Sequence, residues 1–286
     1  MPMSEKSMRS ATPRGRTKRQ VLGRHYLASP GILTRIMAAI DPDPGDLIIE
    51  IGPGLGALTF PLAGRAGRIV AVEKDPEAVR QLRTQPVPNV DLIEGDILGV
   101  DLPSLAARYR GEARKIKLVG NLPYSISSPL LYKVLEERAA FDQAGFLVQK
   151  EVAEKVCARP GTKDYGPLSI RLQAQFIARI EFSVRPGAFV PPPKVDSAFF
   201  TLAKRPMSAV TDAEEREFGR FLRAAFRQRR RTLRNNLGAA GYAAARIDEA
   251  LTGAGIPPAA RPEAVPIDAF VALFRELKGC PGRLTD

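Results

Sequence analysis

One turn constrains this chain more than any other feature. Leu47–Ile51 reads as a short strand, and it runs directly into Gly52-Pro-Gly-Leu-Gly-Ala57. Glycines at 52, 54 and 56 permit a tight turn and let backbone approach a ligand closely. A helix beginning at about Ala57 presents its N-terminus to that ligand. A second strand, Arg68–Val72, ends at Glu73, 21 residues after Gly52. A carboxylate at that place accepts hydrogen bonds from both hydroxyls of a ribose. The turn itself fits two chemistries. Gly52, Gly54 and Ala57 match the dinucleotide fingerprint G-x-G-x-x-G/A, and S-adenosylmethionine enzymes hold an amino-acid tail with a similar turn.

The alternation continues along the chain. A helix is expected over about 27–40, where Ile32, Leu33, Ile36, Met37 and Ile40 share a face. Asp41-Pro-Asp-Pro-Gly45 ends it. Glu77–Arg83 suits a further helix, and Val90–Ile93, Lys117–Val119 and Gly145–Val148 are strand candidates. Short apolar strands between helical segments predict a parallel, doubly wound sheet covered on both faces. Residues 20–203 are therefore expected to form a Rossmann-like α/β domain, and 204–211 a linker. Residues 212–286 lack strand-like alternation. Phe218, Phe221, Leu222 and Ala225 recur at helical spacing, and helices also fit Tyr242–Leu251 and Ile267–Leu277. A small all-helical domain is expected there.

Charge narrows the partner. The net charge of +12 sits in two short segments: residues 1–24 carry +6 and residues 216–234 carry +7. Focused cationic surface implies a polyanionic partner, most simply nucleic acid. Residues 1–19, polar and without periodicity, are expected to be a disordered basic tail. In the second segment Arg216, Arg220, Arg223, Arg227, Arg230 or Arg231, and Arg234 recur every three or four residues. As a helix they would form a stripe opposite the apolar face, suited to RNA phosphates. A helix break near Gln228 would splay that stripe.

Several classes are excluded. Two cysteines, Cys157 and Cys280, make neither a disulfide framework nor a four-ligand zinc site, and one histidine, His25, precludes HExxH chemistry. No metal is expected. No apolar run approaches the ~18 residues of a membrane span. No apolar segment follows the basic N-terminus as in a secretory signal. A reducing, cytoplasmic setting and a monomer are the expectation.

The decisive motif is Gly120-Asn-Leu-Pro-Tyr124, at the carboxyl end of the fourth candidate strand. An exocyclic amino group on a base is a poor nucleophile because its lone pair is delocalised into the ring. Two acceptors holding both N–H groups draw the nitrogen towards tetrahedral geometry. The side-chain oxygen of Asn121 and the backbone carbonyl of Leu122 are those acceptors. Pro123 fixes the turn, and Tyr124 stacks on the base. A sulfonium methyl is already a strong electrophile, so such a site needs placement more than acid–base groups. Asp96, after the third strand, is placed to accept from an adenine amino group. Farther on, the proline run in Phe189-Val-Pro-Pro-Pro-Lys-Val-Asp196 holds Phe189 as a second aromatic face for an extruded base.

Together these residues closely resemble the small-subunit rRNA adenine N6,N6-dimethyltransferases, the KsgA family. The resemblance runs from about Leu22 to Leu277. It includes Leu22-Gly-Arg-His-Tyr-Leu27, Glu50-Ile-Gly-Pro-Gly-Leu-Gly56, Glu94-Gly-Asp96, Gly120-Asn-Leu-Pro-Tyr124 and Gln149-Lys-Glu-Val152. It also includes Tyr165-Gly-Pro-Leu-Ser169, Pro191-Pro-Pro-Lys-Val-Asp-Ser197 and Arg231-Thr-Leu-Arg-Asn-Asn236. The resemblance implies an S-adenosylmethionine-dependent methyltransferase domain followed by a helical RNA-contacting domain. It implies dimethylation of two adjacent adenosines near the 3′ end of small-subunit rRNA, in the small-subunit particle. Carried over by motif, cofactor contacts fall at His25, Leu27, Gly52, Glu73, Asp96 and Asn121. Arg24 replaces the family's usual glutamine and is assigned no role. Three other readings compete: a large-subunit rRNA adenine methyltransferase of the erythromycin-resistance type, a NAD-dependent oxidoreductase, and a non-catalytic RNA-binding or ribosome-assembly factor that keeps a vestigial fold. The second gives Asn121–Tyr124 and the basic segments nothing to do.

Overall fold

The computed structural model describes residues 25–279; the basic tail expected over 1–19 lies outside the described residues. The strands are β1 (Tyr26–Leu27), β2 (Asp46–Ile51), β3 (Arg68–Glu73), β4 (Val90–Glu94), β5 (Lys115–Asn121) and β6 (Gln143–Gln149), followed by β7 (Phe176–Val184), β8 (Phe189–Val190) and β9 (Ser197–Lys204). Seven of them form one sheet in the order β4-β3-β2-β5-β6-β9-β7. The first five in that order run parallel. Alternate residues of β2 enter different cores: Leu47, Ile49 and Ile51 face one side, and Ile48 packs with Ile36 and Ile40 on the other. Both faces are therefore covered, which is why these strands read as apolar runs rather than alternations.

The sheet departs from the parallel expectation at one end, where β9 pairs antiparallel with both β6 and β7. β7 sits at the edge and carries a register shift between Ile180 and Phe182. That irregularity interrupts the two-residue period by which an edge strand is recognised. Leu27, expected to open the first helix, instead lies in β1 and pairs with Phe189 of β8. The helix runs Pro30–Ile40, with proline at its first turn, where a missing N–H costs nothing.

After β9 the chain is helical: Asp212–Ala225, Leu233–Ala239, Ala244–Gly253 and Ile267–Leu277. Their core is built on Phe218, Phe221, Leu222, Phe270 and Phe274, and it also takes in Tyr165, Ile170 and Ala174. The helix Pro167–Gln175 thus serves two cores, since its Leu168 and Leu172 pack under the sheet. The segment expected as a linker is strapped along it. Arg205 N–H donates to the Gln175 carbonyl at 3.1 Å and Ala209 N–H to that of Ala174 at 2.9 Å. Gln175 Nε2 donates to the Val210 carbonyl at 2.9 Å.

A buried ion pair crosses this junction. Arg171 makes two bonds to Glu215, of 2.7 and 3.0 Å, with side chains 8% and 7% exposed. Removing one partner of such a pair leaves an uncompensated buried charge. Glu215→Ala should therefore lower the free energy of unfolding by about 3–5 kcal/mol, measured by chemical denaturation. The double variant Arg171→Met/Glu215→Leu should recover most of that loss, whereas an additive double variant would show that the pair is not coupled.

Candidate active site

β2 lies between β3 and β5, so the strand order reverses at its carboxyl end. Open α/β sheets place ligands in the crevice at such a switch point. The crevice here is a cavity of about 310 Å³. His25, Leu27, Gly52, Glu73, Asp96, Asn121, Leu122, Pro123, Tyr124 and Phe189 all line it. The structure thus brings together every residue singled out for cofactor and base.

The glycine turn forms the floor. Gly52, Gly54 and Gly56 adopt φ of 65, 58 and 86°, a region that side chains disfavour. At Gly56 the space is closed as well, since a Cβ would lie 2.4 Å from the Phe60 ring. The helix expected from about Ala57 begins only at Thr59 and runs to Ala63, so it offers a weaker N-terminus than its sequence promised. Glu73 holds the turn instead. Its Oε2 accepts the Gly54 N–H at 3.0 Å and its Oε1 the Asp75 N–H at 2.8 Å. Each carboxylate oxygen keeps a further lone pair for a ligand hydroxyl.

Asp96 follows β4. It accepts from Leu98 N–H at 3.0 Å and from Lys74 Nζ at 2.7 Å. The Lys74 bond, then the Leu98 N–H, hold its carboxyl below the usual carboxylate range. It is both a turn-capping residue and an ionised acceptor at the cavity rim.

Asn121 ends β5. Its Nδ2 donates to the His25 carbonyl at 3.0 Å, so Oδ1 is the atom left to accept from a ligand. Leu122 is bound through its N–H to the Leu147 carbonyl at 3.0 Å. Pro123, at φ −56° and ψ 133°, turns the chain into Tyr124. The Tyr124 hydroxyl meets Ser197 Oγ at 3.1 Å, and its ring lies 5.6 Å from that of His25. His25 is held in turn by its Nδ1–H, which donates to the Pro191 carbonyl at 2.8 Å. Phe189 faces Leu27 across the β1–β8 ladder and is 3% exposed. It lines the cavity and belongs to the apolar core at once.

Sequence reasoning assigned no role to Glu50, one residue before the end of β2. Glu50 lines the cavity at 1% exposure, and the pKa of its carboxyl is pushed up to about 8. Burial is the chief cause; the Thr59 hydroxyl beside it pulls the other way, and the Glu73 charge adds to the rise. A lone acid inside an apolar strand carried this signal. Ser197 was also missed as the partner of Tyr124.

The arginines lie apart from the cavity, and not on one helix. The helix ends at Ala225, leaving Arg227, Arg230 and Arg231 in the turn before Leu233. Asn236, 1% exposed, makes that turn by bonding both the N–H and the carbonyl of Gln228. Arg223, Arg227, Arg230 and Arg231 are exposed, while Arg220 is half-buried. Arg234 is engaged by Asp248 at 2.6 and 2.8 Å. Among the described residues no cluster of three or more His, Cys, Asp or Glu is arranged to hold a metal ion, and no helix is long and apolar enough to cross a membrane.

Known proteins are similar to this chain over most of its length. The chain is 42% identical over 269 residues to the ribosomal RNA small subunit methyltransferase A of Geobacter metallireducens, covering 93% of this chain and 97% of that one. It is also 42% identical over 257 residues to the protein of the same name from Xylella fastidiosa, covering 89% and 94%. Among solved structures, a dimethyladenosine transferase from Plasmodium falciparum superimposes with a TM-score of 0.75 at 25% identity, over 88% of this chain and 97% of that one. The 23S rRNA methyltransferase ErmE gives 0.69 at 27% identity, over 88% and 99%. The family model described as ribosomal RNA adenine dimethylase matches residues 15–278, and the chain is a member of that family.

Proposed function

We propose that the chain transfers methyl groups from S-adenosylmethionine to N6 of two adjacent adenosines near the 3′ end of small-subunit rRNA, giving N6,N6-dimethyladenosines during small-subunit biogenesis in the cytoplasm. The observation that carries the reading is the oriented amide of Asn121. With Nδ2 committed to the His25 carbonyl, Oδ1 is fixed as an acceptor beside the Leu122 carbonyl. Identity near 42% to two small-subunit enzymes, against 27% to ErmE, favours the small-subunit substrate over the large-subunit one.

The site fits the donor. The glycine turn leaves its floor open to an amino-acid tail, Glu73 keeps lone pairs for ribose hydroxyls, and Asp96 is ionised and at the rim. Bound there, S-adenosylmethionine supplies an electrophilic methyl group. The chain's own residues place the acceptor. Asn121 Oδ1 and the Leu122 carbonyl bind the two amino N–H groups and free the nitrogen lone pair. Tyr124, pinned by Ser197, and Phe189 hold the base between two rings. The helical part after residue 211 holds the RNA, with exposed Arg223, Arg227, Arg230 and Arg231 on phosphates and Arg220 and Arg234 flanking them.

Wild-type protein should convert unmethylated small-subunit particles to N6,N6-dimethyladenosine, identified by mass spectrometry of nucleosides. Asn121→Ala should cut the rate roughly 10²–10³-fold, as loss of one oriented polar group does. A product confined to monomethyladenosine after exhaustive turnover would contradict the dimethylation. Glu73→Ala should weaken donor binding by about 1–3 kcal/mol, read by calorimetry. Arg227→Glu/Arg230→Glu should lower the dependence of log affinity on log salt by about one unit per lost phosphate contact. Donor affinity should stay unchanged in that variant, and a wild-type salt slope would mark this turn as a merely solvated surface.

A further inference from the structure

The transfer proposed above leaves the carboxyl of Glu50 unused. It is 1% exposed and lines the cavity, and its Oε2 has no hydrogen-bond partner among the described residues. Its neighbours across the sheet are Ala71 on β3 and Val119 on β5, neither of which can pair with it. The other titratable groups around the cavity are His25 and Tyr26 on the β1 side, Glu73 and Lys74 at the end of β3, Asp96 after β4 and Tyr124 after β5. Lys74, the lysine among them, is committed to Asp96 at 2.7 Å. Glu73 adds negative charge, and Thr59, from the short helix beyond the turn, contributes only a hydroxyl. A buried carboxyl in such surroundings keeps its proton, in line with a pKa pushed up to about 8.

We propose that Glu50 reads the positive charge of the methyl donor and so distinguishes donor from spent product. This rests on the methyl-donor reading of the cavity. In the free protein Glu50 is neutral at pH 7. A sulfonium-bearing donor stabilises the carboxylate, and the Glu50 proton leaves to solvent. In the transfer a C–N bond forms to the adenine nitrogen and the S–C bond breaks, its electron pair staying on sulfur. The nitrogen's displaced proton is released. The sulfur is then a neutral thioether, and a carboxylate facing it has lost its counter-charge. Glu50 takes a proton back from solvent, and the product is held less tightly than the donor was.

The sign of the linkage follows. Donor binding releases a proton, so donor affinity should rise with pH up to about 8 and level off above it. Product affinity should be nearly flat over the same range. An opposite charge within about 4–6 Å moves a carboxyl by about 1–3 pKa units, so the donor should gain roughly tenfold or more over the product.

Calorimetry on the full-length protein tests this, with S-adenosylmethionine and S-adenosylhomocysteine titrated at pH 7 in buffers of different ionisation enthalpy. The wild type should release a large fraction of a proton with the donor and little with the product. Glu50→Gln, which mimics the neutral acid, should release none with either. It should lose about tenfold in donor affinity at pH 8 and less than twofold in product affinity. Equal proton release with both ligands in the wild type would overturn the proposal without any variant. Donor-linked release that persists in Glu50→Gln would overturn it too, by placing the proton elsewhere. If neither ligand binds the wild type, the methyl-donor reading itself fails, an outcome distinct from the other two.

Discussion

Glu73 binds three strand ends into one surface. Its side chain accepts from Gly54, beyond the end of β2, and from Asp75, just past its own strand. Its main-chain carbonyl accepts the Gly95 N–H, beyond the end of β4, at 2.8 Å. Parallel strands otherwise end independently, each followed by its own loop, and loops drift. One residue that ties three of them fixes the spacing of the glycine turn, the Glu73 carboxylate and Asp96 before any ligand arrives. The carboxylate is 7% exposed at this junction, and backbone N–H groups satisfy a charge that would otherwise be costly to bury. Preorganisation of this kind lowers the ordering cost that binding must meet.

The opposite wall is assembled from segments far apart in the chain. His25 and Pro191, separated by 166 positions, meet through the imidazole, and the His25 carbonyl then orients Asn121. Tyr124 is pinned by Ser197 across 73 positions. The β1–β8 ladder, only two residue pairs long, holds these pieces in register. Two apolar side chains in it, Leu27 and Phe189, are anchored in the core on one side and line the cavity on the other. This wall is therefore held by packing together with hydrogen bonds between distant segments, and the Glu73 side by hydrogen bonds between neighbouring strand ends.

How much of this the sequence disclosed depended on how local each signal is. β2 to β6 were legible because strands buried on both faces must be apolar, and the glycine turn because only glycine tolerates that backbone. Asn121 to Tyr124 were legible because strand, turn and chemistry are contiguous. β7 and β9 were obscured by the register shift at Ile180 and by pairing partners distant in sequence. The break allowed for near Gln228 is present, with the helix ending at Ala225; what holds the turn, Asn236 eight residues later bonding both backbone groups of Gln228, no local propensity announces. The shared role of the Pro167–Gln175 helix rests on contacts to residues beyond 209, which no periodicity within the helix reveals. Glu50 stood in plain view inside an apolar strand, but its meaning needed the burial and the neighbours.

The distribution of charge explains how such a molecule selects a base from a polyanion. Glu50, Glu73 and Asp96 line the cavity, whereas the chain as a whole carries +12. A phosphate entering the cavity would meet carboxylates in a confined space of low dielectric, where like charges repel strongly. On the proposed reading, the exposed arginines of the 223–231 region take the backbone phosphates at the surface instead. Among the groups of an RNA strand, the uncharged one, an extruded base, meets no such repulsion. Unstacking a base costs a few kcal/mol, which on the proposed reading stacking on Tyr124 and Phe189 would offset. The residue proposed to meet the amino nitrogen is itself neutral, the amide of Asn121. A carboxylate there would add a further negative charge to the cavity, which the uncharged amide avoids.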